Sequence, residues 1–209
     1  MKKFHVMVEY IEMVLGTAPA NPNLYSEFIA AKAPDAQSRE EETAALDADS
    51  AKDKGMTVFP RLDDGTPFMW DYQWKGFFKD SCSALRKADG SKSADIKAYK
   101  KEIDGLVFLH PRRIPFVLPD GEGMGECQRP LRAQTAQGER VTLARSETVP
   151  AGAKQEFDVV LFKDALLPVV AEWLMYGQFR GIGQWRNSGC GRFRFAITDE
   201  AGKKLFGNL

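Results

Sequence analysis

Apolar and polar residues alternate at the start of the chain, and this pattern predicts a β-strand over residues 3–11. Every second position there is apolar, at Phe4, Val6, Val8 and Tyr10. A period of two residues is typical of a strand that is buried on one face. Further short strands are predicted at 56–59, within 105–118, at 157–161 and at 193–197. The chain therefore has enough strand to build a sheet.

Apolar residues at helical spacing predict three helices. The first begins at Asn21, a favourable N-cap residue that is followed by proline, and ends before Pro34. The second covers residues 74–86. The third follows Asp164, which we expect to cap it, and is expected to end at Gly177 because glycine commonly closes a helix.

The predicted order of elements is strand, helix, a strand-rich middle, strand, helix and strand. A strand that returns to the sheet after a helix needs a crossover, and two such returns are typical of the ferredoxin-like fold. We therefore predict an α+β protein with an antiparallel βαββαβ sheet, helices on one face and polar insertions. The chain is expected to be a single domain over 1–209, with an acidic insertion at about 35–55 and a basic insertion at about 110–145.

Composition narrows the class of protein only slightly. Apolar residues make up 44% of the 209 residues, enough for a core, and 29 basic residues balance 29 acidic ones, so net charge indicates no partner. Three scattered cysteines and two histidines form no recognisable metal motif, and we expect no metal and no cofactor. Because no signal peptide and no apolar run of membrane-spanning length is recognisable, we expect a cytoplasmic protein without membrane contact.

The most informative stretch is residues 177–195, which read GQFRGIGQWRNSGCGRFRF. Its glycines permit positive φ and close backbone approach, and consecutive free N–H groups in such turns bind anions. Its arginines offer planar donors that suit phosphate, and Trp185 offers a face on which a base could stack. A mobile turn between a helix and a strand is the simpler alternative. We predict that this stretch binds a phosphate backbone through Arg180, Gly181, Gly183, Trp185, Arg186, Gly189 and Gly191.

Two other stretches carry local positive charge. The second predicted helix contains Lys75 and Lys79, which could extend a path for phosphates or could simply form a solvated face. Residues 126–145 include Arg129 and Arg132 among amide side chains, a composition that suits contact with a sugar–phosphate chain. A long hairpin with an exposed basic tip explains this second stretch equally well. We include all four residues among the predicted RNA-binding residues.

Three stretches together resemble the RAMP superfamily, the repeat-associated proteins of CRISPR systems. Residues 181–191 resemble its C-terminal glycine-rich signature, with Arg186 between the two glycine pairs. Residues 73–86 resemble its first-helix motif, in which Lys-Gly is followed by Arg, and 147–161 resemble the stretch that leads into its second-half strand. The three stretches occur in the order in which the family has them.

The resemblance is strongest to the RNA-binding backbone subunits of CRISPR effector complexes. It implies a ferredoxin-like fold, RNA as the ligand, and other RAMP-type subunits or copies of the chain itself as protein partners. It also implies that residues 110–145 form a thumb-like insertion that contacts guide RNA, and that 35–55 is a lineage-specific insertion.

Two other functions stay open. An interaction protein that mimics or inhibits a CRISPR complex would fit the balanced charge. A metal-independent endoribonuclease would need acid–base groups, for which the candidates are His5, His110, Tyr10 and Tyr25. Neither histidine belongs to a recognisable motif, so we predict binding rather than catalysis and assign no catalytic residue.

Overall fold

The computed structural model of the protein describes residues 1–20, 56–135 and 138–209, and within 131–143 it describes only the backbone. The predicted first helix, which begins at Asn21, and the acidic insertion at 35–55 lie outside the described residues. In chain order the elements are β1 (Lys2–Tyr10), β2 (Val14–Leu15), β3 (Ala18–Pro19), β4 (Met56–Val58), β5 (Phe68–Trp70), α1 (Asp71–Leu85), α2 (Tyr99–Leu106), β6 (Val107–His110), β7 (Arg113–Pro115), β8 (Gly125–Thr135), β9 (Gly138–Val149), β10 (Lys154–Leu161), α3 (Leu167–Arg180), β11 (Phe193–Thr198) and β12 (Lys204–Gly207).

The main sheet has the strand order β12–β11–β1–β10–β6, and each neighbouring pair is antiparallel. If β12 is set aside, four strands and the helices α1 and α3 follow one another as β1, α1, β6, β10, α3 and β11. This is the βαββαβ order of the ferredoxin-like fold, with the first and third of its strands at the centre. The predicted α+β fold class is confirmed, and β12 extends the sheet beside β11.

Alternation along the central strands builds the core. In β1 the side chains at every second position are buried, and Val6 lies opposite both Phe157 of β10 and Ile197 of β11. Helices α1 and α3 cover this buried face with aromatic side chains. The rings of Trp74 and Phe157 lie 4.7 Å apart, centre to centre. Both helices are therefore fixed on one face of the sheet, as the spacing of their apolar residues predicts.

The polar stretch at 126–145 lies within a long antiparallel hairpin, β8–β9, rather than in an extended loop. Strand β9 also pairs with β2 and, in parallel, with β4, so the hairpin belongs to a second sheet. Several buried positions of the hairpin are polar, for example Arg129 and Ser146. Hydrogen bonds allow these polar side chains to be buried. The two strands therefore do not show the alternation of apolar and polar residues from which a strand is predicted.

Helix α3 differs from its prediction at both ends. Asp164 begins a short 3₁₀ turn, and the helix itself starts at Leu167. Gly177 lies inside the helix, where a Cβ atom would overlap the ring of Phe193, and the helix ends only at Gly181, whose φ is +68°. The expectation that Gly177 closes the helix is therefore wrong, because this glycine serves close packing against β11.

Candidate nucleic-acid interface

The glycine-rich stretch forms a tightly crossed loop between α3 and β11. Gly181, Gly183, Gly189 and Gly191 all have positive φ. The two arms of the loop meet where the N–H of Ile182 donates to the carbonyl of Gly191 at 2.9 Å. A Cβ atom on Gly191 would overlap the carbonyl oxygen of Ile182, so only glycine fits this crossing. The glycines predicted from sequence therefore shape the loop.

The crossed part of the loop is anchored on the segment that follows β1. The N–H of Gly191 donates to the carbonyl of Met13 at 2.8 Å, and a Cβ atom on Gly183 would lie 3.2 Å from the carbonyl oxygen of Leu15. Within the described residues, the backbone N–H groups of 183–187 donate to no protein backbone acceptor. The groups that could bind an anion through the backbone therefore lie at the tip of the loop, not at its crossing.

The loop tip carries Trp185, whose φ of +54° is unusual for a residue with a side chain and whose exposed fraction is 40%. Arg129 of β8 lies over the Trp185 ring, with its guanidinium 5.5 Å from the ring centre. The same guanidinium donates to Gln184 at 2.5 Å and to Ser146 at 3.1 Å. Arg129 is only 6% exposed, so it supports the loop tip from behind rather than facing solvent.

Arg180, the last residue of α3, and Arg186 of the loop share one carboxylate on α1. Arg186 lies 2.6 Å and Arg180 3.2 Å from the same oxygen of Asp80. Arg180 also donates to Asn187 at 3.0 Å. Two guanidinium groups facing one carboxylate leave an excess of positive charge, although part of the field of each arginine is neutralised. Asp80 thus connects α1 to the loop that the sequence singled out.

A cleft of about 460 Å³ opens between α1 and the loop. The helix contributes Tyr72, Gln73, Gly76, Phe77 and Asp80, which lie on one side of it because they are spaced three to four positions apart. The remaining walls come from the loop, from β5 and from the segments around β3 and β4, and comprise Thr17, Ala18, Pro60, Met69, Trp70, Ile182, Gly183 and Arg186. The cleft combines aromatic walls with a cationic edge.

Several cleft residues escape sequence reasoning. Gln73 fixes the start of α1, because its side-chain oxygen accepts from the N–H of Trp70 at 2.9 Å and its amide donates to Thr17 at 2.8 Å. Gln73, Gly76 and Asp80 could have been recognised from their helical spacing, but nothing in the sequence indicates which face of the helix meets the loop.

The two lysines predicted to extend the interface lie on a different side of α1. Lys75 is half-buried, with its ammonium 4.5 Å from the centre of the Phe108 ring, and burial lowers the pKa of its amine. Lys79 forms a 2.6 Å ion pair with Asp104 of α2. Arg132 lies opposite Val141 in the hairpin, and its side chain is outside the described part. The structure therefore does not bring the lysines to the cleft.

His5, His110 and Tyr10, the candidate acid–base groups that the structure describes, do not line the cleft. His5, on the open face of the sheet, is 3.1 Å from Asp158 and 3.4 Å from Glu156. Asp158 is also directly opposite His110 in the pairing of β10 with β6. Tyr10 is buried and donates to Gln155 at 2.7 Å, and burial raises the pKa of its hydroxyl. Tyr25 is outside the described residues.

Within the described ranges, no three histidine, cysteine or acidic side chains are grouped so that they could hold a metal ion. No helix in those ranges has the length and apolar character needed to cross a membrane. The three cysteines are free thiols, and Cys82 and Cys190 are buried.

No family model matches the chain, and no curated protein matches it either. Among solved structures, one chain of the cryo-EM structure of the Type III-B Cmr-beta bound to cognate target RNA matches 95% of this chain, at 10% identity and a TM-score of 0.56. The protein corresponds to 61% of the length of that chain. A chain of a Type IV-B CRISPR complex matches over 99% of this chain and 93% of its own length, at 11% identity and a TM-score of 0.48.

The first match establishes a shared fold with a Cmr-beta chain, and at 10% identity it establishes nothing further. The second match has too low a TM-score to support a conclusion.

Proposed function

We propose that the protein binds RNA through the glycine-rich loop and acts as a RAMP-like subunit of a CRISPR-type ribonucleoprotein, or associates with one. The observation that carries this proposal is the glycine-rich loop, in which the exposed Trp185 and backbone N–H groups without a described backbone acceptor are next to Arg186, a residue that lines the cleft and shares the Asp80 carboxylate with Arg180. A sugar–phosphate chain needs this combination of anion donors and a stacking surface.

Phosphate contacts would come from the loop tip and the arginines. Arg180 and Arg186 are held within 3.2 Å of Asp80, so they are oriented before a ligand arrives. A phosphate with its several acceptor oxygens could bind these guanidinium groups in competition with the carboxylate. Because this contact is electrostatic, we expect affinity to fall steeply with salt concentration.

A base would stack on Trp185. The indole is 40% exposed, and Arg129 covers one side of it, so the ring is held in place without being buried. The shared fold with a chain of Cmr-beta, a complex whose structure contains cognate target RNA, supports RNA as the class of ligand.

The proposal is tested by fluorescence anisotropy with a short, labelled single-stranded RNA at low and at moderate salt. We expect salt-sensitive binding by the wild type and about tenfold weaker binding by Trp185→Ala, the scale of one lost stacking contact. Phe179→Ala is the matched control, because Phe179 is an aromatic residue of α3 that is 70% exposed and does not line the cleft. Absence of RNA binding by the wild type, or equal losses in both variants, would contradict the proposal.

A second candidate, a metal-independent endoribonuclease, is favoured by one observation. His5, Asp158 and His110 occupy directly paired positions on three adjacent strands, β1, β10 and β6. A histidine oriented by a carboxylate and a second histidine nearby are the acid–base groups that RNA cleavage requires. Incubation of labelled RNA with the protein and a chelator tests this candidate, and each of His5→Ala and His110→Ala should abolish cleavage. RNA that stays intact with the wild type would eliminate it.

A further inference from the structure

We infer that the cleft between α1 and the glycine-rich loop holds one unstacked nucleotide of the bound strand, and that Gly76 keeps the space for it open. The base would lie against the aromatic wall and its phosphate at Arg186 and Arg180. The inference rests on the proposed RNA binding and specifies that this cleft binds a single nucleotide of the RNA.

Gly76 is the first observation behind the inference. It lies within α1, where glycine weakens a helix relative to alanine. A Cβ atom at this position would meet no other atom within 4 Å, and Gly76 is not among the glycines with positive φ, so neither packing nor backbone geometry requires glycine. Gly76 does line the cleft. Its contribution is therefore empty space, which lets a ligand approach the helix backbone closely.

The chemistry of the cleft walls is the second observation. The volume of about 460 Å³ lies within the range of small-molecule sites. Tyr72 provides a partly exposed aromatic surface for a base, and the buried rings of Trp70 and Phe77 form the apolar floor of the cleft. Trp70 is only 1% exposed, and its indole N–H has no hydrogen-bond partner among the described residues. A buried donor without a partner is unfavourable, and the ring nitrogens and carbonyl oxygens of a base are acceptors that could satisfy it.

Charge favours a nucleotide over an apolar peptide side chain. Arg186 lines the cleft and offers planar N–H donors to a phosphate. Asp80 beside it can accept from the amino or imino N–H groups of a base. An apolar side chain would leave both groups without a ligand partner. The cleft therefore has a separate partner for each part of a nucleotide.

The test replaces Gly76 by a residue with a larger side chain that would fill the cleft. It compares the affinity of each variant for RNA with its affinity for an abasic strand. Gly76→Leu should bind RNA about tenfold more weakly than the wild type, and should bind an abasic strand of the same length with unchanged affinity. Gly105→Leu is the matched control, because Gly105 is also an exposed helical glycine whose Cβ atom would meet no atom within 4 Å, and it lies outside the cleft. Gly76→Gln and Gly105→Gln repeat the comparison with a more soluble side chain.

The outcomes separate this inference from the proposed function. Wild-type affinity for RNA in both Gly76 variants would overturn the nucleotide site while leaving RNA binding by the loop intact. Equal weakening for RNA and for the abasic strand would overturn the placement of a base, because backbone contacts alone would then be lost. A wild type that binds neither strand would overturn both. Circular dichroism and melting temperature of each variant check that the fold is retained.

Discussion

Helix α1 has two polar faces, and they carry different chemistry. One face presents Gln73, Gly76 and Asp80 to a cleft and to the glycine-rich loop. The other presents Lys79 to α2, where it forms an ion pair with Asp104, and Lys75 to the edge strand β6, where its ammonium lies over the Phe108 ring. The sequence directs attention to the lysines because they are cationic. Charge alone does not indicate what a helix face meets, because helical phase decides which neighbours each side chain contacts.

The largest expected effect compares Gly191, which lies at the loop crossing, with Gly76 of α1, which lines the cleft. Gly191→Ala should lower the free energy of unfolding by roughly 2–4 kcal/mol, because it combines positive φ with overlap of the Ile182 carbonyl. Gly76→Ala should raise it by about 0.5–1 kcal/mol through helix propensity. Urea unfolding followed by circular dichroism measures both. If Gly191→Ala were as stable as the wild type, the loop crossing would not depend on glycine.

The next largest effect is on RNA affinity, and it compares the arginines near Asp80 with the lysines on the other face of α1. The double substitution Arg180→Ala with Arg186→Ala should weaken RNA binding about tenfold and reduce its salt dependence, because phosphate contacts are lost. Lys75→Ala with Lys79→Ala is the matched pair and should change affinity by less than about twofold. Fluorescence anisotropy over a salt series measures both. A larger loss in the lysine pair would move the interface to the other face of α1.

A smaller effect is expected from the carboxylate at the cleft edge. Asp80→Asn keeps the size of the side chain but removes the charge that partly neutralises Arg180 and Arg186. RNA affinity should rise about two- to fivefold at low salt, the scale of a partly exposed ion pair. Asp104→Asn, which changes the ion pair of Lys79, should leave affinity unchanged. A fall in affinity for Asp80→Asn would mean that Asp80 serves mainly to orient the arginines.

The smallest effect concerns Lys75 and pH. Burial lowers the pKa of this amine, so the unfolded chain holds its proton more tightly and stability rises as the pH increases through the folded pKa. Lys75→Met should therefore be slightly more stable than the wild type at neutral pH, with a difference that shrinks in alkaline solution. Thermal unfolding at neutral and alkaline pH measures this difference. A constant difference across that range would contradict the assignment.

The strands and helices of the ferredoxin-like core could be predicted because each buries one face. Alternation identifies β1, β10 and β11, and apolar residues at helical spacing identify α1 and α3. Their order along the chain then permits few arrangements of the sheet. For this part of the molecule, the chemical pattern in the sequence and the burial in the structure agree.

The hairpin β8–β9 shows where such prediction ends. Arg129 and Ser146 are buried polar residues of this hairpin. Arg129 donates to Ser146 within the hairpin and to Gln184 of the glycine-rich loop. A periodicity rule scores such positions as exposed. Gly177 is a similar case, since its requirement for glycine comes from Phe193, which contacts it only in the folded protein.

The sequence by itself determined the central sheet, its two covering helices and the glycine-rich loop, because these depend on local periodicity and on residues close together in the chain. Only the tertiary structure decided which face of α1 meets that loop. Asp80 lies 100 positions from Arg180 and 106 from Arg186, and these side chains come within 3.2 Å because α1 and α3 pack side by side on the sheet. Contacts between residues so distant in sequence are set by the packing of whole helices, which no local pattern records.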